Sequence, residues 1–354
     1  MEEKTADKRD PKKLRDGFED KLIPLESLDL RSIKTVNDMV IAMDKTAFGA
    51  RQLGEAADIL YEMTTDKDCY KVLTLSGAMT VAKMGLVVCD MIEYGMVDAI
   101  VSTGALITHG FIQSLGKPHF KHDFGIDDKK LYLAGYDRVY DTIELEKNLD
   151  DAETIVDDVL SKVPPDEILC SHKICQMLGE YLDKNVKGRG ILKSAYQKKI
   201  PVFIPAFTDS ELGLDLAIYN RKLKLKNKKQ LQFNPFLDLE EFAELITKQK
   251  RLGIFTIGGG VPRNWAQQVG PYLDIIQSRV GQGGGFKRYH YAVRICPEPA
   301  YWGGLSGCTY SEGVSWGKIV PKAEGGRWAE VMCDATIAWP MIVKAVMERL
   351  EKKE

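Results

Sequence analysis

From Thr35 onward, apolar residues recur at helical spacing: Val36, Met39, Val40, Met43, Leu53, Ala57 and Leu60 suit one face of one or two amphipathic helices. Thr35 stands where an N-cap belongs, with Asp38 three residues on. After Cys69 the texture changes. Short apolar runs at 71–75, 99–102, 168–170, 201–204, 254–257, 291–295 and 329–333 alternate with helical patterns. Strands spaced by helices predict parallel βαβ units, so the expected fold class is α/β, a doubly wound, mostly parallel sheet covered on both faces. A last helix over 335–350, with Pro340 near its start or at a kink, would close the sheet. No repeat or linker is evident. The expected organisation is an N-terminal helical extension over 1–68, suited to docking or to a subunit-interface arm, followed by one α/β domain over 69–354.

Charge and cysteine content narrow the partners. The 354 residues carry 49 basic and 51 acidic side chains, a formal charge of -2. No Lys/Arg stripe is available to neutralise a phosphate backbone, which argues against nucleic acid. The basic run Arg-Lys-Leu-Lys-Leu-Lys-Asn-Lys-Lys at 221–229 reads as a solvated loop or edge. No apolar run of about 18 residues occurs, and residues 1–13 are too charged for a signal peptide, so the expectation is a soluble, cytoplasmic protein without membrane contact. Seven cysteines, an odd number, fit a reducing compartment. Cys170 and Cys175, with His172 between them, match neither a redox nor a zinc spacing, and His109, His119, His122 and His290 form no H-E-x-x-H pattern. No metal is expected.

Three apolar runs lead straight into glycine turns followed by helical patterns: Leu75-Ser76-Gly77-Ala78, Ser102-Thr103-Gly104-Ala105 and Ile257-Gly258-Gly259-Gly260. In an open α/β sheet such turns lie at the carboxyl ends of strands, where backbone N–H groups can approach a pyrophosphate. None spells a P-loop or G-x-G-x-x-G, and each alone is also readable as a tight turn. Together they favour a nucleotide crevice. Asp209 and Asp334 each follow a strand, where they could hold a ribose or amide or simply cap the next helix.

The segment Gly303-Gly304-Leu305-Ser306-Gly307-Cys308-Thr309-Tyr310-Ser311-Glu312-Gly313-Val314-Ser315-Trp316-Gly317-Lys318 begins as a glycine-rich loop and ends with an indole two residues before a lysine. A lysine forms an imine only as the free amine, and desolvation beside an indole would favour that state. By residue type alone Lys318 reads as a surface lysine, because lysines are rarely buried.

From about Leu73 to Met347 the chain resembles the deoxyhypusine synthase family, in particular its prokaryotic deoxyhypusine-synthase-like branch. G-L-S-G-C-T-Y-S-E-G-V-S-W-G-K at 304–318 is the most specific block. S-G-A-M-T at 76–80, M-V-D-A-I-V-S-T-G-A at 96–105, I-P-V-F-I-P-A-F-T-D at 200–209, G-G-G-V-P-R-N at 258–264 and C-D-A-T at 333–336 support it. The resemblance implies a Rossmann-like NAD-binding domain and NAD-dependent aminobutyl transfer. Spermidine loses a hydride to NAD, 1,3-diaminopropane departs, and the butylamine moiety becomes an imine on the active lysine. The group then passes to a lysine of translation factor 5A or, in the related homospermidine synthases, to putrescine. By motif match the imine lysine would be Lys318, with Trp316 walling the polyamine channel and Glu312 near an ammonium. Ser76, Gly77, Ala78, Thr103, Gly104, Ala105, Asp209, Gly260, Asp334 and Ala335 would surround NAD. Family sites form between subunits of a homotetramer.

The departures from the family pattern fall on its amine-binding positions. Thr108 and His109 stand where eukaryotic synthases have a glutamate pair, and Leu214, followed by Asp215, stands where they have an aspartate. In the loop after Gly304, beside Ser306, Leu305 replaces an aspartate, and Trp265 replaces a histidine. A buried ammonium without a partner costs several kcal/mol, so the pocket should be less acidic than a strict spermidine site and the amine should differ. His109 reads as an amine or nicotinamide contact, or as a half-exposed helix-start histidine. The alternatives to transfer are an NAD-binding scaffold without turnover, which intact Trp316 and Lys318 argue against, and a plain amine dehydrogenase.

Overall fold

The computed structural model describes residues 14–282 and 285–352. Six strands form one parallel sheet: β1 (Cys69–Leu75), β2 (Ala99–Ser102), β3 (Val202–Phe203), β4 (Arg251–Ile257), β5 (Tyr291–Ile295) and β6 (Arg327–Val331). Their order across the sheet is β6-β5-β4-β1-β2-β3. The chain thus winds outward in both directions from the β1–β4 pair, and the crevice outside the carboxyl ends of those two strands is where such sheets bind ligands. β1 and β4 run in register over their whole length, from Cys69 opposite Arg251 to Leu75 opposite Ile257.

Alternation along the strands explains the two-sided cover. Leu73, Leu75, Phe255 and Ile257 enter one apolar cluster, while Val72, Leu252 and Ile254 enter the other. The first face receives the helices Phe48–Thr65 and Ala335–Glu351, through residues such as Leu60 and Trp339; the second receives Phe236–Thr247 and Gly260–Val280, through Phe242 and Ala266. The first helix, Val36–Asp44, packs on the last through Val40 and shares this core. It is capped as its sequence predicts: the Asp38 N–H donates to Thr35 Oγ1 at 3.0 Å, and the Thr35 N–H donates to Asp38 Oδ2 at 3.0 Å.

Two expectations need correction. The 168–170 run is not part of the main sheet; Ile168–Leu169 pairs with Gln232–Phe233 in a separate two-stranded ribbon. Within 221–229, the first five residues finish the helix Glu211–Leu225, where lysines complement the carbonyl end of the dipole, and only the remainder is a turn. A three-stranded antiparallel sheet made by Phe120–Lys121, Tyr136–Val139 and Thr142–Leu145 has no counterpart in the sequence reading. All seven cysteines are free thiols. Among the described residues, no helix is long and apolar enough to cross a membrane.

Candidate active site

The three glycine turns meet at the carboxyl ends of β1, β2 and β4. The Ser76 N–H donates to the Ile257 carbonyl at 3.1 Å, the Gly259 N–H to Ser76 Oγ at 3.2 Å, and Thr103 Oγ1 to the Gly77 carbonyl at 2.7 Å. Ser76, Thr103, Gly104, Asp209 and Gly260 line one cleft there, together with Val261 and Pro262. The helices Gly104–Ser114 and Gly260–Val280 both start at this cleft, and neither has a side-chain cap. Uncapped N–H groups from two helix starts, with a carboxylate opposite, suit a pyrophosphate and a ribose. The cleft's volume of about 140 Å³ is below the several hundred Å³ usual for a small-molecule pocket, so a dinucleotide would extend beyond it.

Asp334 and Ala335 sit apart from this cleft. They lie beyond β6 at the sheet edge, and Asp334 caps the final helix, its Oδ1 accepting the Thr336 N–H at 2.7 Å. Gly77 and Ala78 belong to the turn after β1, and Ala105 to the first turn of its helix; none of these three is among the residues lining the cleft.

Lys318 is reached by a local chain of causes. Thr309 caps the short helix Tyr310–Ser315 by accepting the Glu312 N–H at 3.1 Å, and Gly317, at φ +68°, makes the left-handed turn that directs the chain inward. Lys318 is only 9% exposed. Its Nζ donates to Asn264 Oδ1 at 3.0 Å and lies 5.6 Å from the centroid of the exposed Trp316 ring. Burial is the main cause holding its pKa below the usual lysine value; the nearby Arg263 charge adds to this, while Cys308 and Glu312 oppose it.

Arg263 is itself buried and shapes the glycine loop. Its Nη1 donates to the Cys308 carbonyl at 2.9 Å and its Nη2 to the Leu305 carbonyl at 2.8 Å. Arg294, also buried, donates to the Ser306 carbonyl and pairs with Glu330 at 3.1 Å. Ser306 is thereby pressed against the triple glycine: a Cβ at Gly259 would meet Ser306 Cα at 2.6 Å. The cleft around Lys318 measures about 340 Å³ and includes Gly304, Leu305, Glu312 and Trp316, with Gln267 and Gln268 from the long helix. Glu312 is the single carboxylate among its lining residues.

One helix links the two clefts. Gly260 lines the first and Asn264 holds Lys318 in the second, four residues apart, about 6 Å along the axis at 1.5 Å per residue. Sequence reasoning left Arg263 and Asn264 without roles, although their three- and four-residue offsets from Gly260 place them on one helix face.

Trp265 and His109 are corrections, for neither lines either cleft. Trp265 projects to the other side of its helix, with ring centroids 5.7 Å from Phe203 and 5.0 Å from Phe242, because an indole one residue off the polar face is better placed in the apolar layer. His109 Nδ1 lies 3.2 Å from the buried Glu144 Oε2, and His119 Nε2 lies 2.6 Å from the same oxygen. Among the described residues these three side chains gather ligand atoms within 4.8 Å. Asn148 Nδ2 and the Leu145 N–H donate to Glu144 Oε1 at 2.9 and 3.0 Å. Desolvation works against the Glu144 charge, but these donors outweigh it and hold the carboxyl far below its usual pKa. Hydrogen bonding therefore accounts for the cluster.

A larger cavity, about 580 Å³, lies elsewhere, beside Pro201 and Val202 at the amino end of β3. Ligands of doubly wound sheets bind at the opposite, carboxyl end, so position and chemistry together favour the paired clefts.

Comparison with known proteins agrees with this geometry. A family model described as deoxyhypusine synthase matches residues 38–346. The chain is 34% identical over 329 residues to "Probable deoxyhypusine synthase 2" of Methanosarcina acetivorans, covering 92% of this chain and 90% of that protein. It is also 34% identical to the "Deoxyhypusine synthase-like protein" of Chlorobaculum parvum, over 86% of this chain and 84% of that one. A solved structure of a proposed deoxyhypusine synthase from Entamoeba histolytica shares the fold, with a TM-score of 0.57 at 16% identity, covering 92% of this chain and 97% of that chain. The chain belongs to the deoxyhypusine synthase family.

Proposed function

We propose that the protein is an NAD-dependent aminobutyl transferase that takes a butylamine group from spermidine or a related polyamine, holds it as an imine on Lys318, and passes it to an acceptor amine. The observation that carries this reading is the state of Lys318: buried, shifted toward the free amine, and bonded to the amide oxygen of Asn264, which stands one helical turn from Gly260 of the glycine cleft. Family membership supports a transferase.

NAD, when bound, would supply a hydride acceptor and return the hydride at the end of the cycle. Ser76, Thr103, Gly104, Asp209 and Gly260 are the residues that would hold it. The chain's own groups do the rest. The Lys318 amine attacks the oxidised carbon of the donor; a C–N bond to Nζ forms, the C–N bond to 1,3-diaminopropane breaks, and a proton passes from Nζ to the departing amine. Asn264 Oδ1 orients Nζ before attack. Trp316 covers the group and offers its ring face to an ammonium, while Glu312 pairs with the far amine. An acceptor amine then displaces Lys318, which leaves as the free amine.

The acceptor is a lysine of translation factor 5A on this reading, with a free diamine as the alternative. Tyr301, Trp302, Leu305 and Trp316 are exposed, and Leu305 and Trp316 border the Lys318 cleft. A cluster of large apolar side chains beside a polar cleft fits contact with another protein surface, which supports a homotetramer with sites at subunit interfaces. The test supplies the protein with NAD, translation factor 5A, putrescine and spermidine labelled in its butyl carbons. Release of 1,3-diaminopropane with label in the factor is expected. Label in a larger polyamine would select the diamine alternative. Accumulating NADH without transfer would indicate a dehydrogenase, and no release at all would contradict catalysis.

A further inference from the structure

The cavity at the amino end of β3, of about 580 Å³, is of the size usual for a small-molecule pocket, and no step of the proposed reaction uses it. Its lining is graded by depth. Leu192, Ala195 and Val202 are buried at its floor, whereas Lys199 and Glu241 are exposed at its mouth. Between them stands the half-buried ring of His172. Lys318, Trp316 and the glycine turns are not among the residues that line it.

The His172 wall is held in place from behind. The Ser171 and His172 N–H groups donate to the two carboxylate oxygens of Asp238, each at 2.9 Å, and the Ile204 N–H donates to Ser171 Oγ at 2.8 Å. The His172 ring stacks on Phe203, with centroids 5.3 Å apart and planes 30° apart, and Phe203 packs in turn on Phe242 and Trp265. A ring backed by an aromatic layer offers a fixed, flat surface. His172 Nδ1 is nevertheless buried and, among the described residues, has no hydrogen-bond partner. A buried polar atom left so is costly, and a ligand group that bonds it recovers that cost. Burial is the main cause holding the ring below the usual histidine pKa, against Glu241 and Asp238, so near neutral pH one of its nitrogens donates and the other accepts.

We infer that this cavity binds a neutral, planar nitrogen heteroaromatic of two fused rings, at a site separate from the Lys318 cleft. The apolar floor takes the hydrocarbon edge of such a ligand. Its polar edge, with a ring N–H and a ring nitrogen, matches a neutral imidazole in either tautomer. Charge excludes the neighbouring classes. Lys199 and Glu241 are the one basic and the one acidic side chain among the lining residues, so a charged ligand would enter without a net counter-charge. The helix start that could receive a phosphate, at Ser171, is already filled by the Asp238 carboxylate. A metal ion needs several converging ligands, and among the described residues the group that meets this condition is His109, His119 and Glu144, not His172 and Cys175. The occupant is bound and not transformed, and the inference does not rest on the transferase reading.

The experiment titrates benzimidazole into the full chain by calorimetry at pH 7.5, where this probe is uncharged, with benzamidine and benzimidazole-5-carboxylate as planar charged comparison ligands. The variants are His172→Phe, which keeps the ring stack and removes both nitrogens, Leu245→Trp, which fills the cavity, and Asp209→Asn in the glycine cleft. Benzimidazole should bind the wild type and Asp209→Asn equally, about tenfold or more tighter than either charged ligand. His172→Phe should weaken it about tenfold, the worth of one hydrogen bond, and Leu245→Trp should abolish it. Leu245 is half-buried, so Leu245→Trp keeps the test decisive if His172→Phe fails to fold. No binding to the wild type, unchanged affinity in a folded cavity variant, or a charged ligand binding as tightly would each overturn the assignment. Loss of binding through Asp209→Asn would overturn it too, by placing the probe in the glycine cleft.

Discussion

Asp215 offers a prediction whose size can be worked from its surroundings. Burial is the main cause that pushes its carboxyl pKa up to about 7 from 3.8, and Glu211, Glu153 and Asp157 add repulsion against a partial offset from Lys222. Because the folded value lies above the unfolded one, the native state holds more protons than the unfolded chain between those two pH values. Stability from this group is therefore complete below pH 3.8 and is lost as pH rises to about 7. At about 1.4 kcal/mol per pH unit the ceiling is about 4 kcal/mol. The carboxyl borders an open cleft that lets solvent relax the charge, which leaves roughly 1–2 kcal/mol. Asp215→Asn removes the titration and keeps the shape. Urea unfolding of both proteins at pH 4.5, 6 and 8, without amines in the buffer, is the assay. The variant should gain on the wild type as pH rises, reaching the full difference at pH 8 with an unchanged m-value. A difference that stays constant across the three pH values, or a variant less stable at pH 8, would refute the burial argument.

Other changes test the active-site geometry. Lys318→Arg keeps the charge but cannot form the imine; transfer should fall to background while NAD affinity, read by fluorescence titration, stays within twofold. Arg263→Met removes a cation that helps depress the Lys318 pKa, so the acid limb of the single-turnover rate profile should move to higher pH. The same change should cost about 3 kcal/mol of stability by freeing the Cys308 and Leu305 carbonyls. Gly259→Ala puts a Cβ 2.6 Å from Ser306 Cα and should destabilise by about 1–3 kcal/mol through overpacking, seen as a lower urea midpoint. Thr35→Ala removes the acceptor of the Asp38 N–H and should cost about 1 kcal/mol without changing catalysis.

What the sequence made legible were features with local causes. The central strands are buried on both faces, so each reads as a continuous apolar run, and the glycine turns stand out because they follow those runs directly. The hairpin around 120–145 leaves no alternating pattern in the sequence because every residue of Phe120–Lys121 and Tyr136–Val139 is exposed, with no buried face to alternate against. Arg263 could not be assigned because its role depends on carbonyls 42 and 45 residues away. His109 likewise finds Glu144 35 residues on. Asp215 was noticed as the neighbour of a replaced carboxylate, but the repulsion it meets from Glu153 and Asp157 exists only once two helices distant in sequence are packed together. Trp265 shows the limit of motif carry-over: its position in a matched block did not determine which way its ring points.

The most direct test of the account is peptide mass spectrometry after borohydride reduction of the protein incubated with NAD and spermidine. The account predicts one fixed aminobutyl mass, located on Lys318 and absent when NAD is withheld. An unmodified Lys318, or the same mass spread over surface lysines, would contradict it.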